Sequence, residues 1–183
     1  MSARLHLVLA LGAAIASIGC SDPVPPASKA GVSLHVFGTG ACAIPQGVVK
    51  GIGQPPPDSM SAAGKGSPIF DGESGVKTNC RVSNGPNFSV SGSASQNPIS
   101  FNVSAQLGPD GKGTGTVGLF VPEANGNLTS PADMPCSVEA IVTSAGPQVK
   151  PGAVWAKFTC AAVTQPPADS CRADGEFVFE NCD

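Results

Sequence analysis

Cysteine is the residue type in this sequence with the most evident chemistry. The chain of 183 residues contains seven cysteines: Cys20, Cys42, Cys80, Cys136, Cys160, Cys171 and Cys182. Setting Cys20 aside leaves six, an even set that is typical of disulfides formed in an oxidising compartment. The closely spaced Cys-x-x-Cys pairs that a four-cysteine zinc site would use do not occur. We therefore expect disulfides and no metal site.

Histidine offers little for catalysis. Downstream of residue 30 there is one histidine, His35, and a Ser-His-Asp or Cys-His arrangement would have to use it. It alternates out of phase with Val32, Leu34 and Val36, which is typical of an exposed residue on a strand.

Two short motifs match catalytic or cofactor-binding patterns without their structural context. Gly113–Gly118 satisfies G-x-G-x-x-G, but it opens a Thr/Val-rich strand and not the helix that a dinucleotide site needs. Ser74 and Lys77 match S-x-x-K, yet neither S-D-N nor K-T-G occurs elsewhere in the chain. We expect no enzymatic activity and no cofactor.

The C-terminal stretch is acidic. Its carboxylates are Asp169, Asp174, Glu176, Glu180 and Asp183. A calcium site needs several oxygens converging on one point, and the spacing here does not match an EF-hand loop. The pattern favours a solvated acidic hairpin.

Composition narrows the possible partners. The formal net charge is −3, with 10 basic and 13 acidic residues, so we expect no nucleic-acid partner, which would require a strongly basic face. The chain has no tyrosine and one tryptophan, Trp155. Trp155 is out of phase with Val154, Ala156 and Phe158, so it lies on the opposite face of its strand. There it either contacts a protein partner or covers a loop or minor core.

The first twenty residues form an export signal. Arg4 supplies a short positive region, and an apolar segment runs from Leu5 to Ile18. The segment Ser17–Cys20 resembles the lipobox of bacterial lipoproteins, although Ser17 stands where that family usually has Leu, Val or Ile. The resemblance implies a signal peptide over residues 1–19 and lipidation of Cys20. The alternative is ordinary cleavage after Ala16, at an A-x-A site.

The resemblance also implies a location. Ser21, and not Asp, follows the cysteine, and this favours the outer membrane over retention at the inner membrane. Residues 20–30 then form the lipidated cysteine and a flexible, proline-rich tether. We expect a bacterial cell-envelope protein held to the membrane by its lipid anchor.

Residues 31–183 show the pattern of one all-β domain. Ile99 to Leu107 alternate apolar and polar residues, and Gly108–Lys112 has turn chemistry before Gly113–Val121. Folding about Asp110 opposes three apolar pairs: Ile99 with Val121, Phe101 with Leu119, and Val103 with Val117. Further strands are predicted at Val32–Phe37, Val76–Val82, Phe88–Ala94 and Gly175–Asn181. We expect a β-sandwich or barrel of about eight short, mostly antiparallel strands stabilised by disulfides.

A second hairpin suggests a disulfide. Folding about Gln148 opposes Val142 with Val154, Val138 with Phe158, and Cys136 with Cys160, and directly opposed strand residues lie within disulfide range. For the other four cysteines we favour Cys42–Cys80, and Cys171–Cys182 around an Asp174-Gly175 turn. Cys182 could instead tie the C-terminus to a distant strand.

These observations predict a lipid-anchored, non-catalytic envelope protein that acts as a structural or binding module for an unidentified partner. One alternative is a carrier of small apolar ligands, with a cavity beside inward-facing small residues such as Gly92 and Ala94. The other is a protease inhibitor that presents Gly51–Pro68 or Ser144–Gly152 as a disulfide-supported loop.

Overall fold

A computed structural model describes residues 24–38, 42, 44, 47–54, 67–124, 126–165 and 169–183. The strands within these ranges are β1 (Lys29–Gly38), β2 (Val48–Ile52), β3 (Ile69–Phe70), β4 (Val76–Ser83), β5 (Phe88–Gln96), β6 (Ile99–Leu107), β7 (Lys112–Val121), β8 (Gly126–Thr129), β9 (Cys136–Ala140), β10 (Val142–Thr143), β11 (Gly146–Pro147), β12 (Val149–Lys150), β13 (Ala153–Gln165) and β14 (Asp169–Glu180). Two single 3-10 turns, Glu73–Gly75 and Pro122–Ala124, complete the regular structure of this part of the chain. The predicted all-β class is confirmed.

Twelve strands form one antiparallel sheet. Its order is β2-β1-β14-β13-β8-β7-β6-β5-β4, with β9 pairing both β13 and β7, while β3 and β12 pair with β1 and β13. Strands β10 and β11 form a separate two-stranded ribbon. Ten of the fourteen strands have four or more residues, close to the predicted number of short strands.

The sheet curls into a barrel or sandwich in which β5 and β6 face β13 and β14. The ring of Phe101 on β6 lies 5.4 Å from that of Phe158 on β13 and 5.5 Å from that of Phe177 on β14. A Cβ atom at Gly92 on β5 would lie 2.6 Å from the ring of Phe179. Aromatic rings thus occupy the space beside the inward-facing glycine, which agrees with tight sheet packing.

Strand β4 pairs with β5 and also contacts β1 and β13, and its outer edge is covered by irregular segments. The backbone of Asp183 donates to the carbonyl of Cys80 (3.1 Å) and accepts from the N–H of Val82 (3.0 Å), while the N–H of Gly152 donates to the carbonyl of Val82 (2.9 Å). Toward the other end of β4, Asp71 Oδ1 accepts from the N–H of Thr78 (2.7 Å). These contacts satisfy backbone groups that a bare edge would expose to pairing with another chain.

The β6–β7 hairpin has the predicted register. Phe101 opposes Leu119 and Val103 opposes Val117. The ladder ends at Ser100 and Phe120, one position short of the third predicted pair. The strands predicted within residues 32–37, 76–82 and 88–94 are also present.

The predicted register of the second hairpin is correct for the pairs far from its turn and wrong for the pair nearest the turn. Val138 opposes Phe158, and Cys136 and Cys160 form the predicted disulfide with a Cα–Cα distance of 4.2 Å. The predicted pairing of Val142 with Val154 is wrong, because Val154 pairs with Val149. Val142 instead pairs with Pro147 in the small ribbon, and its side chain is exposed.

The other two predicted disulfides are wrong. Cys42 pairs with Cys171, and Cys80 pairs with Cys182. Asp174 and Gly175 do not form a turn, since both lie within the continuous strand β14. Because β14 carries Cys171 and Cys182 apart along an extended chain, the two cysteines cannot meet. The alternative considered above, with Cys182 tied to a distant strand, is the one found.

The prediction that the acidic C-terminal stretch forms a solvated hairpin is also wrong. The C-terminal stretch is one twelve-residue strand paired on both sides, with β1 and with β13. Glu176 is consequently buried, with 6% of its surface exposed. Among the described residues, no helix has the length and apolar character needed to span a membrane.

Candidate functional site

Trp155 lies on the outer face of β13, opposite Val178 of β14. The side chain is half-buried, which matches the prediction that it occupies the face opposite Val154 and Phe158. Its backbone is fixed on the side away from β14. The carbonyl of Trp155 accepts from the N–H of Ile141 (2.9 Å), and its own N–H donates to the carbonyl of Gln148 (2.9 Å). The backbone that carries the Trp155 side chain is therefore held by neighbouring segments on both sides of β13.

A cleft of about 640 Å³ opens beside Trp155. One wall is formed by Val178 and Asn181 and another by the segment Pro147–Gly152. The amide of Gln148 holds the start of this segment in place, because Nε2 donates to Thr143 Oγ1 (2.9 Å) and to the carbonyl of Gly146 (3.1 Å). The cleft has the volume of a typical small-ligand or side-chain pocket.

The indole N–H of Trp155 is buried, and no acceptor for it is found among the described residues. Burying a donor without an acceptor costs about 1–3 kcal/mol. Such groups are rare in native structures and call for an explanation at each place where they occur. Here the group belongs to the one tryptophan of the chain, and the side chain lines a cleft.

His35 faces Asp174 across β1 and β14, with 3.4 Å between Nδ1 and Oδ1. The side chains are 26% and 42% exposed, so the histidine lies on the outer face as its phase predicted. Thr159 is the next residue in this row, and Asp174 stands between it and His35. The row therefore does not bring this hydroxyl to the imidazole, as a nucleophile–histidine pair would require.

A second outer row alternates in charge across four strands. Lys112, Glu139, Lys157 and Glu176 occupy successive opposed positions, and Ser33 follows Glu176. Lys157 Nζ lies 2.9 Å from Glu139 Oε2. This hydrogen bond from Lys157, with the nearby charges of Lys157 and Lys112, holds the pKa of Glu139 below its ordinary value. The row provides cross-strand support for the sheet.

A further ion pair joins Lys50 of β2 to Glu123 in the turn after β7. The hydrogen bond from Lys50 lowers the pKa of Glu123. Strand β2 is an edge strand of the sheet, and this ion pair connects it to the turn that follows β7.

The two motif matches have structural explanations. Gly113–Gly118 lies within β7, and a Cβ atom at Gly115 would lie 2.4 Å from the carbonyl oxygen of Ser104, so glycine permits close pairing with β6. Ser74 lies in a 3-10 turn and Lys77 in the strand that follows. The two residues are therefore not on one helix. No group of three or more potential metal ligands occurs among the residues that the structure describes.

Several earlier predictions concern residues outside the described ranges. These are the signal peptide, Cys20, the first part of the tether and the greater part of the loop Gly51–Pro68. The segment Ser144–Gly152 is described, and it contains β11 and β12.

Sequence reasoning identified Trp155 but missed the other walls of its cleft. Val178 and Asn181 come from β14 and its end, and the Pro147–Gly152 segment comes from the chain before β13. No local pattern could have joined these segments, because the pairing of β13 with β14 places them together. Comparison of the chain with protein-family models, with curated proteins and with solved structures finds no match.

Proposed function

We propose that this chain is a lipid-anchored protein of the bacterial cell envelope, held to the outer membrane through Cys20, and that it acts as a non-catalytic binding module. The pairing of the cysteines is the observation that carries the proposal. Three disulfides use Cys42 with Cys171, Cys80 with Cys182, and Cys136 with Cys160. Of the seven cysteines, only Cys20 is left for lipidation, and it stands within the lipobox-like segment.

The disulfides also support export. Bonds of this kind persist in oxidising compartments such as the bacterial periplasm and the cell surface. Two of the three join residues more than 100 positions apart, Cys42 to Cys171 and Cys80 to Cys182. Such long loops constrain the unfolded chain strongly.

The first described residues of the chain are compatible with a tether between Cys20 and the domain. The carbonyl of Ala27 accepts from Asn181 Nδ2 (3.0 Å), and the carbonyl of Ser28 accepts from the N–H of Asp71 (2.9 Å). The chain is therefore fixed to the domain from residues 27 and 28 onward. A proline-rich stretch of a few residues separates this point from Cys20, so the anchor would hold the domain near the membrane while allowing it to reorient.

The cleft beside Trp155 is the contact that we assign to a protein partner. A rigidly held, partly exposed tryptophan in a pocket is a common centre of binding energy in protein interfaces. Apolar surface from Pro147 and amides from Gln148 and Asn181 surround it, over the buried Val178. A partner segment that places an apolar side chain in the cleft and polar groups at its rim would match this lining.

Mass spectrometry of the protein extracted from membranes of its own host tests the anchor. We expect a chain that begins at Cys20, carries acyl groups and gains mass on reduction equivalent to three disulfides. The Cys20→Ala variant should leave the membrane fraction. A Val24→Ala variant, altered in the tether at a residue that is 90% exposed, is the matched control and should remain. An unacylated chain starting near Ser17 would refute the anchor.

Crosslinking in intact cells followed by mass spectrometry tests the cleft. Replacement of Gln148 by a photoreactive residue should give a specific adduct with a protein partner, and Trp155→Ala should abolish it. Replacement of Val142, which is exposed outside the cleft lining, provides the control position. Equal adducts from both positions, or an adduct that survives Trp155→Ala, would contradict the assignment.

A further inference from the structure

The outward side chains of β4–β7 form a polar surface that we call the serine face. Every outward position of β5 is serine: Ser89, Ser91, Ser93 and Ser95. The outward positions of β6 that follow in the ladder are Ser100, Asn102, Ser104 and Gln106. Serine is not among the residues that favour strands, unlike threonine or the aromatic residues. Its repeated use therefore suggests a role other than strand stability.

The serine face carries basic residues and no acidic ones. Lys77 and Arg81 lie on β4 and Lys112 lies at the start of β7, and none of the outward positions on these four strands is Asp or Glu. The chain as a whole has a net charge of −3. The outer side of β14, by contrast, carries the partly exposed Asp174. Lys77 and Arg81 thus place two exposed cations on the serine face with no acidic outward neighbour on β4–β7, whereas Lys112 faces Glu139 of β9.

A groove of about 480 Å³ crosses this face near the start of β4. Its outward lining comes from Lys77, Asn79, Ser93, Ser95, Ser100 and Asn102. Asp71 stands at one end of the groove, where its Oδ1 accepts the N–H of Thr78 (2.7 Å). The one carboxylate of the lining is therefore engaged with the backbone of β4.

Two cross-strand rows contribute residues to the groove and continue beyond it to β7. In the first, Lys77, Ser95, Ser100 and the half-buried Phe120 occupy successive opposed positions. In the second, the amide of Asn102 lies over Gly118, since a Cβ atom there would lie 2.6 Å from Asn102 Oδ1. The absence of a side chain at Gly118 lets this amide lie flat across β7.

We propose that the serine face binds an acidic polysaccharide, with the groove beside Lys77 as its central subsite. Hydroxyl and amide groups at regular spacing can donate to and accept from sugar hydroxyls. Serine loses little rotamer entropy when it is immobilised. Lys77 and Arg81 face the carboxylate or phosphate groups of the polymer. This site is separate from the Trp155 cleft and does not depend on the lipid anchor.

The chemistry of the face distinguishes this partner from two others. Insertion into a lipid surface uses exposed apolar side chains, and the single apolar side chain in the groove rows, Phe120, is half-buried. A second copy stacked face to face would oppose Lys77 and Arg81 to their own counterparts or to uncharged serines. Neither arrangement uses both the cations and the hydroxyls.

Titration of the full chain in detergent with hexagalacturonate, followed by calorimetry and by amide NMR shifts, tests the proposal. We expect saturable shifts at Ser93, Ser95 and Asn102, and an affinity that falls as NaCl is raised because exposed charges are screened. Maltohexaose, a neutral hexamer, should bind more weakly. Ser95→Glu should lower the affinity for hexagalacturonate by about tenfold through like-charge repulsion.

The matched control is Ser137→Glu, which makes the same change on an outward, exposed position of β9 outside the groove. It should leave the affinity unchanged. Lys77→Gln, at an exposed position, provides a second variant should Ser95→Glu fail to fold, and it should weaken hexagalacturonate binding selectively. Absence of groove shifts with hexagalacturonate, equal binding of maltohexaose, or equal effects of Ser95→Glu and Ser137→Glu would overturn the proposal. Binding of phosphatidylglycerol vesicles in preference to hexagalacturonate would also overturn it.

Discussion

Replacing Gly92 by alanine probes how the two layers of the domain pack. Gly92 lies on β5, and the ring of Phe179 on β14 fills the space that a side chain at position 92 would occupy. An alanine Cβ would lie 2.6 Å from Cε2 and 2.8 Å from Cζ of that ring. Phe179 has no exposed surface, and its ring lies 5.6 Å from that of Phe177. The ring therefore cannot move aside without disturbing the aromatic core.

The expected magnitude follows from this overlap. An added methyl group in a packed core costs about 1–3 kcal/mol. For a domain of this size, each kcal/mol lowers Tm by about 2–4 °C. Gly85→Ala is the matched control, because the new Cβ would contact only the carbonyl oxygen of Asn87, at 3.6 Å, in the exposed turn before β5. We expect it to change stability by less than about 0.5 kcal/mol.

Urea denaturation with the disulfides intact measures both variants. Phe179→Leu removes the ring atoms that Gly92→Ala would meet, although by itself it leaves a cavity and destabilises the protein. The double variant should consequently be more stable than the sum of the two single effects predicts, by about 0.5 kcal/mol or more. If Gly92→Ala is as mild as Gly85→Ala, or if the two effects are additive, β5 does not pack on β14 as described.

Three further predictions concern the β4 edge, the charged row and the tryptophan. Cys80→Ala with Cys182→Ala removes a link across 102 residues, so the free energy of unfolding should fall by about 4–5 kcal/mol. Hydrogen exchange at the Val82 amide, which donates to the C-terminal residue, should accelerate; unchanged protection would show that the tail is held without the disulfide. Glu139→Gln should cost about 0.2–1 kcal/mol at neutral pH, because the partly exposed pair with Lys157 is screened by solvent. The pKa of Glu139 is lowered in the folded state, so this contribution is present above the ordinary glutamate value of 4.5 and is lost as pH falls through the lowered pKa; a difference that persists in acid would contradict the ion pair. Trp155→Phe should destabilise by less than about 1 kcal/mol in thermal melts, because it removes a buried donor without an acceptor along with the ring atoms; a larger loss would mean that the indole N–H is satisfied.

Local pattern was sufficient for the β6–β7 hairpin. Alternating residues identify the face that each strand buries, and the Gly108–Lys112 turn sets the register between adjacent segments. The pairs Phe101–Leu119 and Val103–Val117 therefore follow from neighbouring sequence alone. The same reasoning succeeded for Cys136–Cys160, where the paired strands are also close in sequence.

The same reasoning failed where the chain between the strands departs from a simple turn. Val142 was expected to continue the strand of β9, but the chain forms the β10–β11 ribbon before β12 pairs with Val154. Apolar alternation does not reveal such an interruption, because a two-residue strand has no period to detect.

The alternating serines of Ser89–Ser95 are visible in the sequence. A binding surface can be recognised there only when the residues on the neighbouring strands are known. The sequence shows that these residues share one side of a strand. The curled sheet then places Lys77 and Asn102 beside them and keeps Asp174 of β14 on a different part of the outer surface. The charge of a surface depends on strand order, which is a long-range property.

The sequence by itself determined the all-β class, the adjacent hairpins, the even set of six cysteines and the outward position of Trp155. Each of these depends on residues near one another in the chain. Only the tertiary structure decided that Cys42 meets Cys171 and that Cys80 meets Cys182, as well as the cleft and the burial of Glu176. The physical reason is that β14 pairs with both β1 and β13, and burial of the shared apolar face brings together segments that no local period relates.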